Sequence, residues 1–352
     1  MKRVKFIGLL CSMILMLNGC QGQKLWYLFL NCSVDVPPLR FQMEKEHQTL
    51  FIPIVSSSPL TATNKDTTYI VIMIHGGGLN AENSFKTAKQ LAESLGVSMD
   101  QFLILAPQFL EGIKRNERGL LFWDQNWRSG GMSLSTVQNE NLPSLSSFEV
   151  IDRLIGTSVQ RNPNIRKIII LGHSAGGQFV LRYAAVNSRH EQLAQQGVTI
   201  QYVVANPSSY LYLDGSRYQF NSEGEIEEVP KTKLLECPGY NRYKYGMENL
   251  YGYAKELPLK AIRARLLTRP IIFLLGTEDK DRNWSLDTSC EGDAQEKNRY
   301  QRGVLYKYHL EQMAGKSLSY HHTWLGIPDA GHASTKILTH MDFVNELKSQ
   351  GF

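Results

Sequence analysis

The chain has 352 residues, 42% of them hydrophobic and 20% charged, which excludes a disordered or membrane-embedded polypeptide. Its 38 Lys and Arg outnumber its 33 Asp and Glu by five, but Lys2, Arg3 and Lys5 supply three of that excess. The near balance that remains gives no electrostatic case for a nucleic-acid partner.

Those three cations precede an apolar run at residues 6–17. A bilayer span needs roughly 20 apolar residues, so residues 1–19 read as a signal peptide rather than an anchor helix. Leu17-Asn18-Gly19-Cys20 then resembles the bacterial lipobox, in which cleavage exposes a cysteine that receives a diacylglyceryl group. Cys11 is a poorer match because bulky Leu10 precedes it. The resemblance implies lipid attachment at Cys20 and a membrane as partner, held by more than one acyl chain. Gln21 in place of Asp implies the outer membrane of the cell envelope. Residues 20–49 are expected to form a tether and 50–352 the folded domain, since no Pro/Ser-rich linker or repeat divides the remainder. Export permits a disulfide. Of Cys32, Cys237 and Cys290, the pair Cys237–Cys290 is favoured, and an odd count leaves one thiol over. No cysteine or histidine spacing suggests a metal site.

Through the rest of the chain, β-branched apolar runs alternate with helical spacing. Residues 51–55, 69–74 and 102–106 read as strands. Between the second and third, residues 83–95 carry apolar positions Phe85, Ala88, Leu91, Ala92 and Leu95 and stop at Gly96. Ser146-x-x-Glu149 is a capping-box sequence opening a helix with Phe148, Ile151, Leu154 and Ile155. Residues 168–171 are a buried strand, 175–187 a helix, and 202–205 and 271–275 further buried strands. Helix is expected over 293–313, strand over 318–325 and helix again over 335–347. Continuous apolar strands separated by helices call for a mostly parallel sheet covered on both faces, an α/β fold.

Gly172-His173-Ser174-Ala175-Gly176 follows the strand at 168–171 and opens a helix, the strand–turn–helix setting of a nucleophile elbow. A serine nucleophile needs N–H donors for the oxyanion that develops on its substrate. The N–H of Ala175 is one. His75-Gly76-Gly77-Gly78 follows the strand at 69–74 and resembles the glycine loop of lipases and esterases, which implies Gly77, or else Gly78, as the second. Together these motifs resemble the α/β-hydrolase superfamily, whose catalytic order is Ser, then acid, then His. That order sets aside His47, His75 and His173. It favours His332, in the turn Asp329-Ala330-Gly331-His332 after the last strand. For the acid, Gly276-Thr277-Glu278-Asp279-Lys280-Asp281 closes the strand at 271–275, and the resemblance favours Asp279 over Asp281, with Glu278 third.

The resemblance runs over most of residues 50–350. It implies a serine hydrolase, most simply of carboxylic esters, acting on a small or lipid-like substrate without metal or cofactor. A peptidase or acyltransferase with the same triad is the second expectation, and an inactive hydrolase fold serving as a binding module the third. An insertion at 207–262 holds Tyr210, Tyr212, Tyr218, Tyr240, Tyr243, Tyr245, Tyr251 and Tyr253. It reads either as a cap over the site or as a structural excursion packed on the sheet. A second excursion, 111–145, carries Trp123 and Trp127 as a possible opposite wall.

Overall fold

The structure, a computed structural model, describes residues 35–112, 117–315 and 321–352. The stretch read as a signal peptide, Cys20 and Cys32 lie outside the described residues. Among the described residues no helix is long and apolar enough to cross a membrane.

Eight strands form one sheet: β1 (Arg40–Lys45), β2 (Gln48–Ser56), β3 (Tyr69–Ile74), β4 (Phe102–Pro107), β5 (Lys167–His173), β6 (Thr199–Ala205), β7 (Ile271–Gly276) and β8 (His322–Ile327). Their spatial order is β1-β2-β4-β3-β5-β6-β7-β8. β1 pairs antiparallel with β2, and β2 antiparallel with β4; every other pairing is parallel. The α-helices longer than four residues are α1 (Ala81–Ser94), α2 (Ser147–Arg161), α3 (Ala175–Val186), α4 (Arg189–Ala194), α5 (Leu259–Thr268), α6 (Arg299–Ala314), α7 (Ser334–Leu338) and α8 (Met341–Ser349).

Side-chain alternation along β3 shows how both faces are covered. Ile70, Ile72 and Ile74 pack with α2, α3, α5 and α6 through Ile151, Phe179, Leu266 and Tyr306. Val71 and Met73 pack with α1, α7 and α8 through Leu91, Leu338 and Phe343. A strand buried on both faces has no polar side to show, which is why these runs are unbroken in apolar residues.

Several boundaries differ from the sequence reading. The sheet begins at Arg40, inside the stretch read as a tether. Phe41 and Met43 alternate inward along β1, and Glu46 and His47, at φ 50° and 62°, close a two-residue hairpin to β2. The helix expected over 293–313 starts only at Arg299, where the Asn298 side chain accepts from Gln301 N–H at 2.9 Å. The helix expected over 335–347 is broken, because His340 is extended and its ring accepts from Asp342 N–H to start α8 anew. Ser146 does cap α2, accepting from Phe148 N–H at 3.2 Å, but Glu149 turns to Arg153 instead of completing a capping box.

The 207–262 insertion is pinned to the body. Tyr210 and Tyr212 are fully buried, Tyr243 donates to Ser129 O at 3.0 Å, and Tyr253 donates to the buried Asp152 at 2.6 Å. Trp123 and Trp127 are likewise fully buried, so they support the second excursion from inside instead of forming an exposed wall. Cys237 in the insertion is bonded to Cys290.

Candidate active site

The site gathers at the carboxyl ends of β3, β5, β6, β7 and β8, the edge where open α/β sheets present their loops to ligands. Ser174 is the single residue between β5 and α3 and takes φ 58°, ψ −117°. A non-glycine residue pays steric strain there, so the neighbours must hold the turn. They do so by close approach. A Cβ on Gly172 would lie 2.3 Å from the Gly176 backbone, and one on Gly176 would lie 2.2 Å from Ile74 O. Ser174 N–H also donates to Ala205 O at 2.9 Å, tying the turn to β6. Ser174 is half-buried, and its hydroxyl makes no hydrogen bond among the described residues.

Ala175 opens α3, so its N–H belongs to the unpaired first turn of a helix, at the positive end of the dipole. The glycine loop after β3 lies against the elbow: a Cβ on Gly76 would be 3.9 Å from Ser174 Cβ. His75 fixes this loop. Its Nε2 accepts from Phe109 N–H at 2.9 Å, so the ring proton sits on Nδ1 and donates to Gly76 O at 2.8 Å. Leu79 N–H donates to the same carbonyl at 3.1 Å. The peptide between Gly76 and Gly77 is planar and trans, so a carbonyl held inward turns the Gly77 N–H outward. Gly77 and Gly78 are exposed, with nothing within 4 Å of a Cβ at either. Trp127 supports the histidine from the core, its ring 4.6 Å from that of His75.

His332 and Asp279 meet because the loops after β7 and β8 are stitched together. Thr277 N–H donates to Ile327 O at 3.0 Å and Glu278 N–H to Ala330 O at 2.9 Å. A Cβ on Gly276 would lie 2.4 Å from Ala330 O. His332 Nδ1 then lies 2.6 Å from Asp279 Oδ2. Asp279 is 1% exposed, whereas Asp281 is exposed, and Glu278, also exposed, pairs with Lys280. The ring of His332 lies 4.4 Å from that of His173, the residue before Ser174, and so beside the elbow.

Two further residues converge on Asp279. Asn206, just past β6 at φ 40°, donates to Asp279 Oδ2 at 2.6 Å and accepts from Gly276 N–H at 2.9 Å. Arg299, the first residue of α6, places Nη1 3.5 Å from Asp279 Oδ1, both side chains being essentially sealed from solvent. Sequence reasoning assigned neither a role. Asn206-Pro207 at a strand end was a usable signal for the first, and no sequence feature marks the second. His173 is held neutral, its pKa well below the usual histidine value through burial, with His332 and Arg299 adding to the effect.

Burial also holds His75, His190 and His322 at about 4, against an ordinary 6.5. Between those values the unfolded chain binds protons that the folded chain refuses, so folding stability should be full above pH 6.5 and fall as pH drops toward 4. Urea midpoints at pH 7.5, 6 and 4.5 check this, and a midpoint at pH 4.5 equal to that at 7.5 would contradict it.

A cavity of about 610 Å³ opens elsewhere, between β1, α2 and α4, lined by Phe41, Met43, Arg153, Arg189 and Leu193. None of the residues gathered around Ser174 borders it.

No protein-family model and no curated protein matches the sequence. Solved structures do match. A poly(3-hydroxybutyrate) depolymerase from Bordetella parapertussis is similar over 92% of this chain and 92% of its own, at 16% identity and a TM-score of 0.56. Poly(aspartic acid) hydrolase-1 from Sphingomonas sp. KT-1 is similar over 90% of this chain and 99% of its own, at 18% identity and a TM-score of 0.57. At such identities the likeness speaks for architecture, and with the strand order above it shows that the chain has the α/β-hydrolase fold.

Proposed function

We propose that the protein is a lipid-anchored serine hydrolase that cleaves a carboxylic ester through an acyl-enzyme. The observation that carries the reading is the pair His332–Asp279, 2.6 Å apart at two strand ends, beside a serine held at φ 58° in a helix-opening turn. With Nδ1 engaged by Asp279, the His332 ring keeps Nε2 as the base. Ser174 Oγ attacks the acyl carbon and passes its proton to Nε2. The carbonyl oxygen becomes an oxyanion, held by the N–H groups of Ala175 and Gly77. Collapse expels the alcohol, which takes the proton from His332 and leaves the acyl group on Ser174. Water, deprotonated by the same nitrogen, attacks next; the second collapse breaks the acyl bond to Ser174, returns that proton to its Oγ and releases the acid. Asp279 orients the ring and opposes the positive charge it carries midway.

The depolymerase among the similar structures supports an ester as substrate. The poly(aspartic acid) hydrolase favours a second reading, an amide substrate cleaved by the same steps. A fluorophosphonate probe and a series of p-nitrophenyl esters and peptides test both. Labelling of the wild type that survives in Ser174→Ala would sink the nucleophile. Labelling with peptide but no ester turnover would move the assignment to the amide. For the anchor, Cys20→Ser should abolish incorporation of labelled palmitate and release the protein from the envelope; continued labelling would refute attachment at Cys20.

A further inference from the structure

We propose that Arg299 is a positioning residue of this site, its buried charge keeping the His332–Asp279 pair from taking up a proton that would stop catalysis. The inference rests on the hydrolase reading above.

The two oxygens of Asp279 have different surroundings. Oδ2 accepts from His332 and from Asn206, each at 2.6 Å. Oδ1 makes no hydrogen bond and faces Arg299 Nη1 at 3.5 Å. Arg299 is fully buried, anchored by Nη2 donating to Ser285 Oγ at 2.9 Å, while its Nε and Nη1 have no hydrogen-bond partner. A guanidinium this poorly hydrogen-bonded is not explained as a packing strut. Its counterion is the acid that orients the catalytic base.

The other groups facing the pair leave Arg299 as its uncompensated cation. From the end of β5 comes His173, neutral in its burial. From the end of β6 comes Asn206, which is uncharged. Tyr210, coupled electrostatically to Asp279, has its phenol pushed well above the usual range by burial and is also uncharged. On α6 itself Arg302 is paired with Asp293 at 3.3 Å, and in the acid loop Lys280 is paired with Glu278 at 3.2 Å, outside the core. On the His332 side, Lys336 points its ammonium at Asp329 O.

Asp279 and His332 share one proton, and acid inactivation adds a second. The added proton either charges the imidazole or neutralises the carboxyl. A cation at 3.5 Å from Oδ1 opposes both outcomes. Removing it therefore lets the pair protonate at higher pH, whichever member receives the proton.

The test is the pH dependence of fluorophosphonate labelling, which needs no identified substrate, for the wild type, Arg299→Met and Arg299→Lys. The acid limb of Arg299→Met should move up by about one pH unit, while Arg299→Lys should keep the wild-type limb. Should Arg299→Met fail to fold, Arg299→Gln, polar but equally without charge, carries the same comparison. A charge-free variant whose limb coincides with wild type or falls below it overturns the inference, as does Arg299→Lys shifting as far as Arg299→Met. A purely structural arginine would lower labelling at every pH and leave the limb in place. Wild type unlabelled at any pH would sink the hydrolase reading as well, which separates the two failures.

Discussion

Asp279→Asn should lower kcat by about four orders of magnitude, the scale seen when a triad acid loses its charge. No orientation of the new amide suits the site. With its oxygen at the Oδ2 position it still accepts from His332 and Asn206, but its NH2 then faces the Arg299 guanidinium. Turned over, it sets a donor against both the His332 ring and the Asn206 amide. In either case Arg299 is left as a buried charge without its counterion, and breaking a buried pair in this way costs about 3–5 kcal/mol. The variant should therefore be nearly inactive and clearly less stable, by ester turnover or labelling rate and by urea unfolding. Asp281→Asn, at an exposed position, should match the wild type in both. Equal damage from the two substitutions, or more than a tenth of wild-type activity in Asp279→Asn, would show that the acid has been misassigned.

Gly176→Ala should be the most disruptive of the small changes. Its methyl group would meet Ile74 O at 2.2 Å and His75 O at 2.8 Å. These are backbone atoms of the central strand and of the residue that fixes the glycine loop, so no side chain can swing aside. Relief requires α3 to move off β3, carrying Ala175 N–H away from the glycine loop. Overpacking against rigid backbone places the cost at about 3 kcal/mol, and labelling should fall more than a hundredfold. Gly326→Ala is the control, since its Cβ would make an ordinary 3.7 Å contact with Thr277 and should shift stability by less than about 0.5 kcal/mol. Similar urea midpoints for the two variants would refute the steric account.

What could be read from the sequence was what depends on chain order and strand ends. Ser174, Asp279 and His332 each follow an apolar run, and the parallel sheet those runs imply delivers all three to one edge. Arg299 could not be found in this way. An arginine at the start of a helix is ordinary, and only the approach of α6 to β7 turns it into a partner of Asp279. The aromatic residues misled for a related reason. Trp123 lies in a two-residue strand and Trp127 in a five-residue 3-10 helix, too short for spacing to show a facing, and the structure places their rings against His75 and Phe109. Among the insertion's tyrosines, Tyr210, Tyr212 and Tyr243 pack into the body, as a structural excursion requires. β1 escaped notice because only Phe41 and Met43 mark its alternation.

The stitching between the loops after β7 and β8 bears on motion as well as on geometry. Because Thr277 and Glu278 donate to backbone carbonyls at and beyond the end of β8, Asp279 and His332 ride on one stitched piece anchored in β7 and in the edge strand β8. Neither can swing out alone. Amide hydrogens at Thr277 and Glu278 should accordingly exchange with solvent only as slowly as the whole sheet opens, whereas those at the exposed Gly77 and Gly78 should exchange quickly. On the proposed hydrolase reading, any opening that admits a bulky substrate falls to the glycine loop and its surroundings, while Asp279 and His332 stay together.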